Sequence, residues 1–250
     1  MNNGPASSPL QLGGVAADCR GFSLIELLIA MAIMTVVMGG IFQLMNLAMQ
    51  RSSTEQARLD MFQEAREFMD QIARDLRHAG YPNARHRATI VLESAEADSD
   101  VAAGLVKVDT GDIWFEGDVE GTGFVSVVQY HLDNSTANNC PCLKRSQKQK
   151  QTGNPLTGQL APEYQTEVQN VKNMGIFTAY ASGTAVGLPV TFTANSGATI
   201  ATVDTVQAML TVESPYIDPQ TRQKPISTLV TTVKLDNCSM AAAGEKMSCF

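Results

Sequence analysis

The chain has 250 residues, a formal net charge of −7 at pH 7, and 44% hydrophobic residues. This length allows one domain or two small ones, and the hydrophobic content argues against wholesale disorder. A mean hydropathy of −0.05 excludes a polytopic membrane protein but allows a single span. The acidic balance argues against general nucleic-acid binding, which uses basic surfaces.

Residues suited to catalysis are few. The three histidines are His78, His86 and His131, and none has a nucleophile or a metal partner nearby in sequence. The motifs HExxH, GxSxG and GxxxxGK[ST], which mark many hydrolases and NTPases, do not occur. We therefore predict that the protein is not an enzyme and has no cofactor and no bound metal.

A long apolar segment lies near the N-terminus. Between Arg20 and Arg51 the only charged residue is Glu26, and residues 22–45 supply the ~20 apolar positions that a membrane-spanning helix needs. A cleaved secretory signal would need a basic start, and residues 1–19 contain no Lys or Arg. A plain anchor would have no use for a carboxylate that costs about 2.5–3.5 kcal/mol in mid-bilayer.

The residues that open this segment are Arg20-Gly21-Phe22-Ser23-Leu24-Ile25-Glu26-Leu27. They resemble the processing site of type IV prepilins and type II secretion pseudopilins, in which Gly precedes an aromatic residue and Glu is fifth in the mature chain. The resemblance implies that a prepilin peptidase cuts between Gly21 and Phe22. It also implies N-methylation of the Phe22 amine and a role for Glu26 in assembly.

A physical account of Glu26 supports this role. After cleavage, Glu26 lies about 6 Å along the axis from the start of the helix. In a filament, its carboxylate can pair with the cationic amine of a neighbouring subunit in a low-dielectric setting. Stabilisation at its own helix N-terminus is a compatible alternative use. The leader, residues 1–21, is longer and less basic than the leaders of the family.

The helix is predicted to continue to Ala79, where Gly80 and Pro82 stop it. Its apolar stripe is Leu59, Phe62, Ala65, Met69, Ile72, Leu76 and Ala79. Spacings of three and four are typical of an amphipathic helix. The Gly39-Gly40 pair suits either helix packing in lipid or a hinge, and the sequence does not decide between them.

After Tyr81 the hydrophobic period changes to two. Strands are predicted at 104–115 (two strands), 124–132, 171–180, 205–212 and 229–235, and 146–169 is predicted to be a long surface loop. One long N-terminal helix followed by strands predicts an α+β, pilin-like fold in which the helix packs on an antiparallel sheet. The predicted domains are a leader (1–21), a transmembrane helix (22–50), an amphipathic helix (51–80) and a periplasmic β-rich head (81–250).

The end of the helix, residues 67–81, is EFMDQIARDLRHAGY. It resembles PilW-type minor pilins, whose helix ends in ARDLR-x-AGY, and residues 109–132 and 231–237 resemble them more weakly. The resemblance implies an inner-membrane protein with a periplasmic head that joins a pilus. Its implied partners are the prepilin peptidase, other major and minor pilins, the inner-membrane assembly platform and membrane lipid. The alternatives are a J-type pseudopilin, which shares RDLR, and a DNA- or surface-binding tip protein.

Four cysteines remain once Cys19 leaves with the leader: Cys140, Cys142, Cys238 and Cys249. An even number fits disulfides in an oxidising compartment, and three connectivities are open. The resemblance suggests a Cys238–Cys249 loop, while cross-pairing of the two clusters is an alternative. One residue between Cys140 and Cys142 is too few for the usual zinc spacing.

Two charged clusters have competing interpretations. Asp112, Glu116, Asp118 and Glu120 could form a calcium loop, but their spacing does not match an EF-hand, and we favour a solvated hairpin turn. Lys144, Arg145, Lys148 and Lys150 could contact DNA. No aromatic residues are interleaved with them, so we predict a solvated loop and do not expect nucleic acid as a partner.

Overall fold

The computed structural model describes residues 22–83, 97–135, 140–192, 198–218 and 221–237. It shows an α+β protein with a pilin-like layout, which confirms the predicted fold class. The chain divides into two compact units, residues 1–49 and residues 50–250. A long helix, α1, includes residues of both units, and the described residues of the second unit also form antiparallel sheets.

Helix α1 spans Leu24–His78. Among the described helices it is the one that is long and apolar enough to cross a membrane. Its side chains up to Met49 are exposed. It ends one residue before the predicted Ala79, and Gly80 follows with a φ of 81°, a left-handed conformation that glycine adopts without a Cβ penalty.

The buried residues of α1 differ in part from the predicted apolar stripe. Ala65, Met69, Ile72, Leu76 and Ala79 are buried as predicted. Leu59 and Phe62 are 58% and 39% exposed, and Met61 and Phe68 are buried instead. A step of three residues falls about 60° short of a full helical turn. The two consecutive three-residue steps from 59 to 62 and from 62 to 65 therefore place Leu59 and Phe62 outside the packed face. The four-residue step from Met61 to Ala65 stays on that face.

The described residues of the second unit form ten strands. They are β1 Leu105–Val108, β2 Asp112–Gly117, β3 Ser126–Asp133, β4 Cys142–Gln149, β5 Gln165–Gln169, β6 Phe177–Ala181, β7 Thr184–Ala185, β8 Val190–Thr191, β9 Thr205–Glu213 and β10 Ile226–Lys234. A short helix, α2 Ala198–Ala201, precedes β9. The sheets have the orders β5-β4-β3-β2-β1-β8 and β10-β9-β6-β7, and all pairs are antiparallel.

The predicted strands are found, but the predicted loop at 146–169 is wrong at both ends, because β4 continues to Gln149 and β5 occupies Gln165–Gln169. Strand β4 has the sequence CLKRSQKQ, which offers almost no apolar alternation to detect. Both sheets and the residues of α1 from Met61 onwards contribute to one hydrophobic cluster. Its largest fully buried side chain is Tyr130.

Candidate functional site

The start of α1 is held by a capping box. The Glu26 Oε2 atom accepts a hydrogen bond from the Ser23 backbone N–H at 3.2 Å, and the Ser23 Oγ atom accepts one from the Ile25 N–H at 3.3 Å. A Ser and a Glu three residues apart satisfy free N–H groups at a helix start. The prediction for Glu26 did not identify Ser23 as its partner, although the Ser-x-x-Glu spacing indicates one.

The other predicted processing residues flank this box. Phe22 is 85% exposed, and Gly21 lies outside the described residues, as does the rest of the leader. The apolar residues that follow are exposed along α1. The helix continues through Gly39 and Gly40, and a Cβ atom at either position would meet nothing within 4 Å, so both uses proposed for this pair stay predictions.

At the other end of α1, Asp75 joins the helix to β3 and β4. Its Oδ2 atom accepts hydrogen bonds from the Tyr130 hydroxyl at 2.7 Å and from the Arg145 guanidinium at 2.8 and 3.0 Å. The Phe68 ring packs edge-on against Tyr130 at 5.5 Å. Burial, and then the Asp75 charge, raises the pKa of Tyr130, so its hydroxyl remains a donor at neutral pH.

The residues after α1 pair with the end of β2. Ala79 forms a backbone bridge with Gly117, and the Gly80 N–H donates to the Glu116 carbonyl at 2.8 Å. A Cβ atom at Gly117 would collide with the His78 carbonyl oxygen. The buried residues of the ARDLR-x-AGY segment, Asp75, Leu76 and Ala79, therefore help to fix the end of α1 on the larger sheet.

The predicted basic loop is instead strand β4 and the residue after it. Each cation of the run lies within ion-pair distance of a carboxylate: Lys144 with Asp133 (2.6 Å), Arg145 with Asp75 (2.8 Å), Lys148 with Glu163 (2.7 Å) and Lys150 with Glu116 (2.7 Å). The solvated-loop prediction is wrong because these charges are neutralised within the fold.

The Lys150–Glu116 pair is completely buried, with both side chains 0% exposed. Lys150 Nζ also donates to the Val101 carbonyl at 2.8 Å, and Glu116 Oε2 accepts from the Ala103 N–H at 2.8 Å. Burial raises the pKa of Glu116, and the Lys150 charge and the Ala103 hydrogen bond oppose that rise. Sequence reasoning missed this pair because Glu116, in β2, and Lys150, just after β4, are far apart in sequence.

The acidic cluster is divided among separate partners. Both carboxylate oxygens of Asp118 accept backbone N–H groups, from Thr122 at 3.0 Å and Gly123 at 2.7 Å, as expected of a turn. Asp112 contacts Lys107 and His131. Because Glu116 pairs with Lys150, the carboxylates do not converge on one point. Asp118 belongs to a turn as predicted, but Glu116 and Asp118 are buried, so the prediction of a solvated cluster is wrong for these two residues.

The described cysteines are bonded to each other. The Sγ atoms of Cys140 and Cys142 form a disulfide, and their Cα atoms are 4.6 Å apart. This bond makes the alternative of cross-pairing between the two clusters wrong. Cys238 and Cys249 lie outside the described residues, so their pairing with each other stays a prediction. Asp133 is also close to the two sulfur atoms, but its carboxylate is paired with Lys144 at 2.6 Å.

Comparison with known proteins identifies one motif. The family model of the prokaryotic N-terminal methylation motif matches residues 17–42, which include the predicted cut, Glu26 and much of the apolar segment. No curated protein matches the chain. The motif and the fold together indicate a type IV pilin-like or pseudopilin protein, a class whose members are typically structural. The motif implies processing by prepilin peptidase and assembly with other pilins, and the apolar helix fits a membrane-anchored protein.

Proposed function

We propose that this protein is a minor type IV pilin of the PilW type. Prepilin peptidase removes residues 1–21 by cutting between Gly21 and Phe22, and the Phe22 amine is then methylated. Residues 22–50 anchor the protein in the inner membrane, 51–80 continue the helix, and 81–250 form a periplasmic head. The assembly platform then moves the subunit from lipid into the pilus with other major and minor pilins.

The observation that carries the proposal is the position of Glu26 in the motif at the start of an exposed apolar helix. Within the described subunit, the carboxylate contacts its own Ser23 N–H. The methylated amine of a neighbouring subunit offers a full positive charge instead of a backbone dipole, and the attraction between two opposite charges is strong in a low-dielectric setting. Assembly would exchange the local cap for that stronger contact and so fix the axial register of the subunits.

The helix-ending segment favours the pilus assignment. The whole ARDLR-x-AGY pattern resembles PilW-type proteins, and its Asp75 and Gly80 make the contacts described above. A J-type pseudopilin is the second candidate because it shares the RDLR part of the pattern. Recovery of the protein with sheared pili supports the first, whereas dependence of type II secretion on the protein, without recovery in pili, supports the second.

Processing is tested at the cut itself. N-terminal sequencing of the wild-type protein is expected to begin at a methylated Phe22. Gly21→Val should leave a full-length species, because a branched side chain does not fit where the peptidase requires a small one, and Gly21→Ala should be less damaging. A mature chain that starts further along the helix, or an uncut wild type, would contradict the prepilin assignment.

Assembly is tested separately with Glu26→Gln and Glu26→Ala. Gln can still accept the Ser23 N–H, since Glu and Gln both serve in a capping box, but it cannot neutralise the neighbour's amine. Both variants should be cleaved and inserted in the membrane, and both should be depleted from sheared pili. Wild-type pilus content for Glu26→Gln would show that the charge has no assembly role.

A further inference from the structure

Strand β10 is a long sheet edge with little protection. It pairs with β9 through nine consecutive residue pairs without a register shift, and no other described strand pairs with it. It has no proline, and Lys234, its last residue, is its only charge. The edge strands β7 and β8 have two residues each. Natural proteins blunt long edges with charges, prolines or bulges because free edges pair with other strands.

The direction of the free hydrogen-bonding groups follows from the bonds at the two ends of β10. The Ser214 N–H donates to the Pro225 carbonyl, and the Leu235 N–H donates to the Asp204 carbonyl, so odd-numbered residues of β10 face β9. Backbone groups alternate along an antiparallel strand. The even-numbered residues therefore direct their N–H and C=O groups to the free edge: Ile226, Thr228, Val230, Thr232 and Lys234. Their side chains are also exposed.

We propose that two copies of this chain pair through β10, antiparallel and about a two-fold axis at Val230. In this register Ile226 lies opposite Lys234 of the other copy and Thr228 lies opposite its Thr232. Val230 lies opposite its own counterpart. All five edge-facing residues then find partners, as expected of the self-complementary patch of a two-fold dimer. The two sheets join into one continuous sheet.

Charge pairing favours this register, and residue type favours a second copy of the chain as the partner of the β10 edge. Just outside the strand, Lys224 lies opposite Asp236 of the other copy, which is favourable. A shift that places the axis at Leu229 instead puts Lys224 opposite Lys234. Residues 238–250, the segment that follows β10, contain three Ala, one Gly, one Glu and one Lys. These residue types are depleted in strands, whereas β10 itself is rich in β-branched residues, so the second copy suits the edge better than this segment.

The register is tested by cysteine cross-linking of the full-length chain in membranes. Thr228→Cys in one tagged copy and Thr232→Cys in a second copy should form a mixed disulfide dimer. Their Cα atoms would be about 5.5 Å apart, within the range that a disulfide spans. Thr228→Cys alone should not dimerise, because its counterpart would lie about 13 Å away along the strand. The wild type controls for the native cysteines.

Charged substitutions at Val230, the residue on the proposed two-fold axis, test the interface without a covalent cross-link. Val230→Lys places two like charges directly opposite each other, and Val230→Glu does the same, so each variant alone should be monomeric in detergent by native mass spectrometry. Val230→Thr, which keeps a β-branched side chain, should dimerise like the wild type. A mixture of the Lys and Glu variants should restore the dimer, which a folding defect would not do.

Several outcomes overturn the proposal. A wild type that is monomeric and gives no mixed cross-link would do so, as would cross-linking of β10 to a different protein. Equal dimer yield from Thr228→Cys alone would refute the register. Dimers of Val230→Lys at the wild-type level would place the interface elsewhere. The proposal does not depend on the pilus assignment, because neither readout uses pili.

Discussion

Replacement of Lys150 by Met tests the buried ion pair most directly. The substitution keeps a long apolar stem but removes the ammonium group 2.7 Å from Glu116 Oε2. Glu116 then retains only the Ala103 N–H among the partners described for that oxygen, and its Oε1 atom already has no hydrogen-bond partner. Removing one member of a buried pair costs about 3–5 kcal/mol, so the free energy of unfolding should fall by that amount at neutral pH.

The loss in the free energy of unfolding caused by Lys150→Met should depend on pH in a defined direction. Burial already raises the pKa of Glu116 above its ordinary value of 4.5, and removal of the Lys150 charge raises it further. A carboxyl group with a raised folded-state pKa contributes stability below its unfolded pKa, and that contribution is lost as pH rises through the folded pKa. The deficit of Lys150→Met should therefore be largest at neutral pH and shrink on acidification.

The assay uses the single tryptophan, Trp114, which lies two residues from Glu116 in β2. Its fluorescence during urea unfolding of the full chain in detergent reports on the second unit. The matched control, Lys150→Met with Glu116→Gln, carries no buried charge and should recover much of the loss while keeping an acceptor for Ala103. Equal stability of Lys150→Met and the wild type, or a deficit independent of pH, would refute the reasoning.

Three further perturbations probe other contacts of the second unit. Asp75→Asn keeps the shape but removes the charge beside Arg145, and urea unfolding should show a loss of about 1–3 kcal/mol, whereas no loss would make the contact incidental. Gly117→Ala should cost roughly 1–3 kcal/mol in the same assay through overpacking against the helix end. Burial, and then the Asp112 charge, raises the pKa of Tyr164 to about 12. Phenolate absorbance should therefore show Tyr164 titrating late, in addition to Tyr130, whose pKa is also raised by burial, and Asp112→Asn should lower the pKa of Tyr164 alone. The stability that neutral Tyr164 contributes is lost as pH rises through about 12.

Hydrophobic periodicity predicted the parts of the fold that alternate between core and solvent. Residues 206, 208, 210 and 212 alternate with less buried neighbours in β9, which are polar except for Met209, and all four are buried. The same rule failed in β4 and the residue after it, where Arg145 and Lys150 face buried carboxylates rather than apolar side chains. Pattern recognition assigns such residues to loops, because the partner that neutralises each charge lies far away in sequence.

The candidate site also contains some contacts that the sequence could predict and others that it could not. The spacing of Gly21, Phe22 and Glu26 is local, so the motif and its capping box can be predicted from adjacent residues. Asp75 and Tyr130 are separated by 55 positions, and no periodicity connects them. The prediction for Leu59 and Phe62 failed for a subtler reason: both residues are apolar, but the helix rotates them away from the sheet.

The acidic residues at the two ends of α1 have different tasks. Asp75 is 8% exposed and is committed to Tyr130 and Arg145, so its replacement must affect folding before it affects assembly. Glu26 is exposed and its described contact is a local cap, so its replacement can affect assembly while folding is unchanged. The same reasoning applies to partner choice. Because Asp75, Leu76 and Ala79 of the ARDLR-x-AGY segment are buried within the protein's own fold, we expect partners to be selected by exposed apolar positions, such as Phe62 on α1 and Val230 on β10.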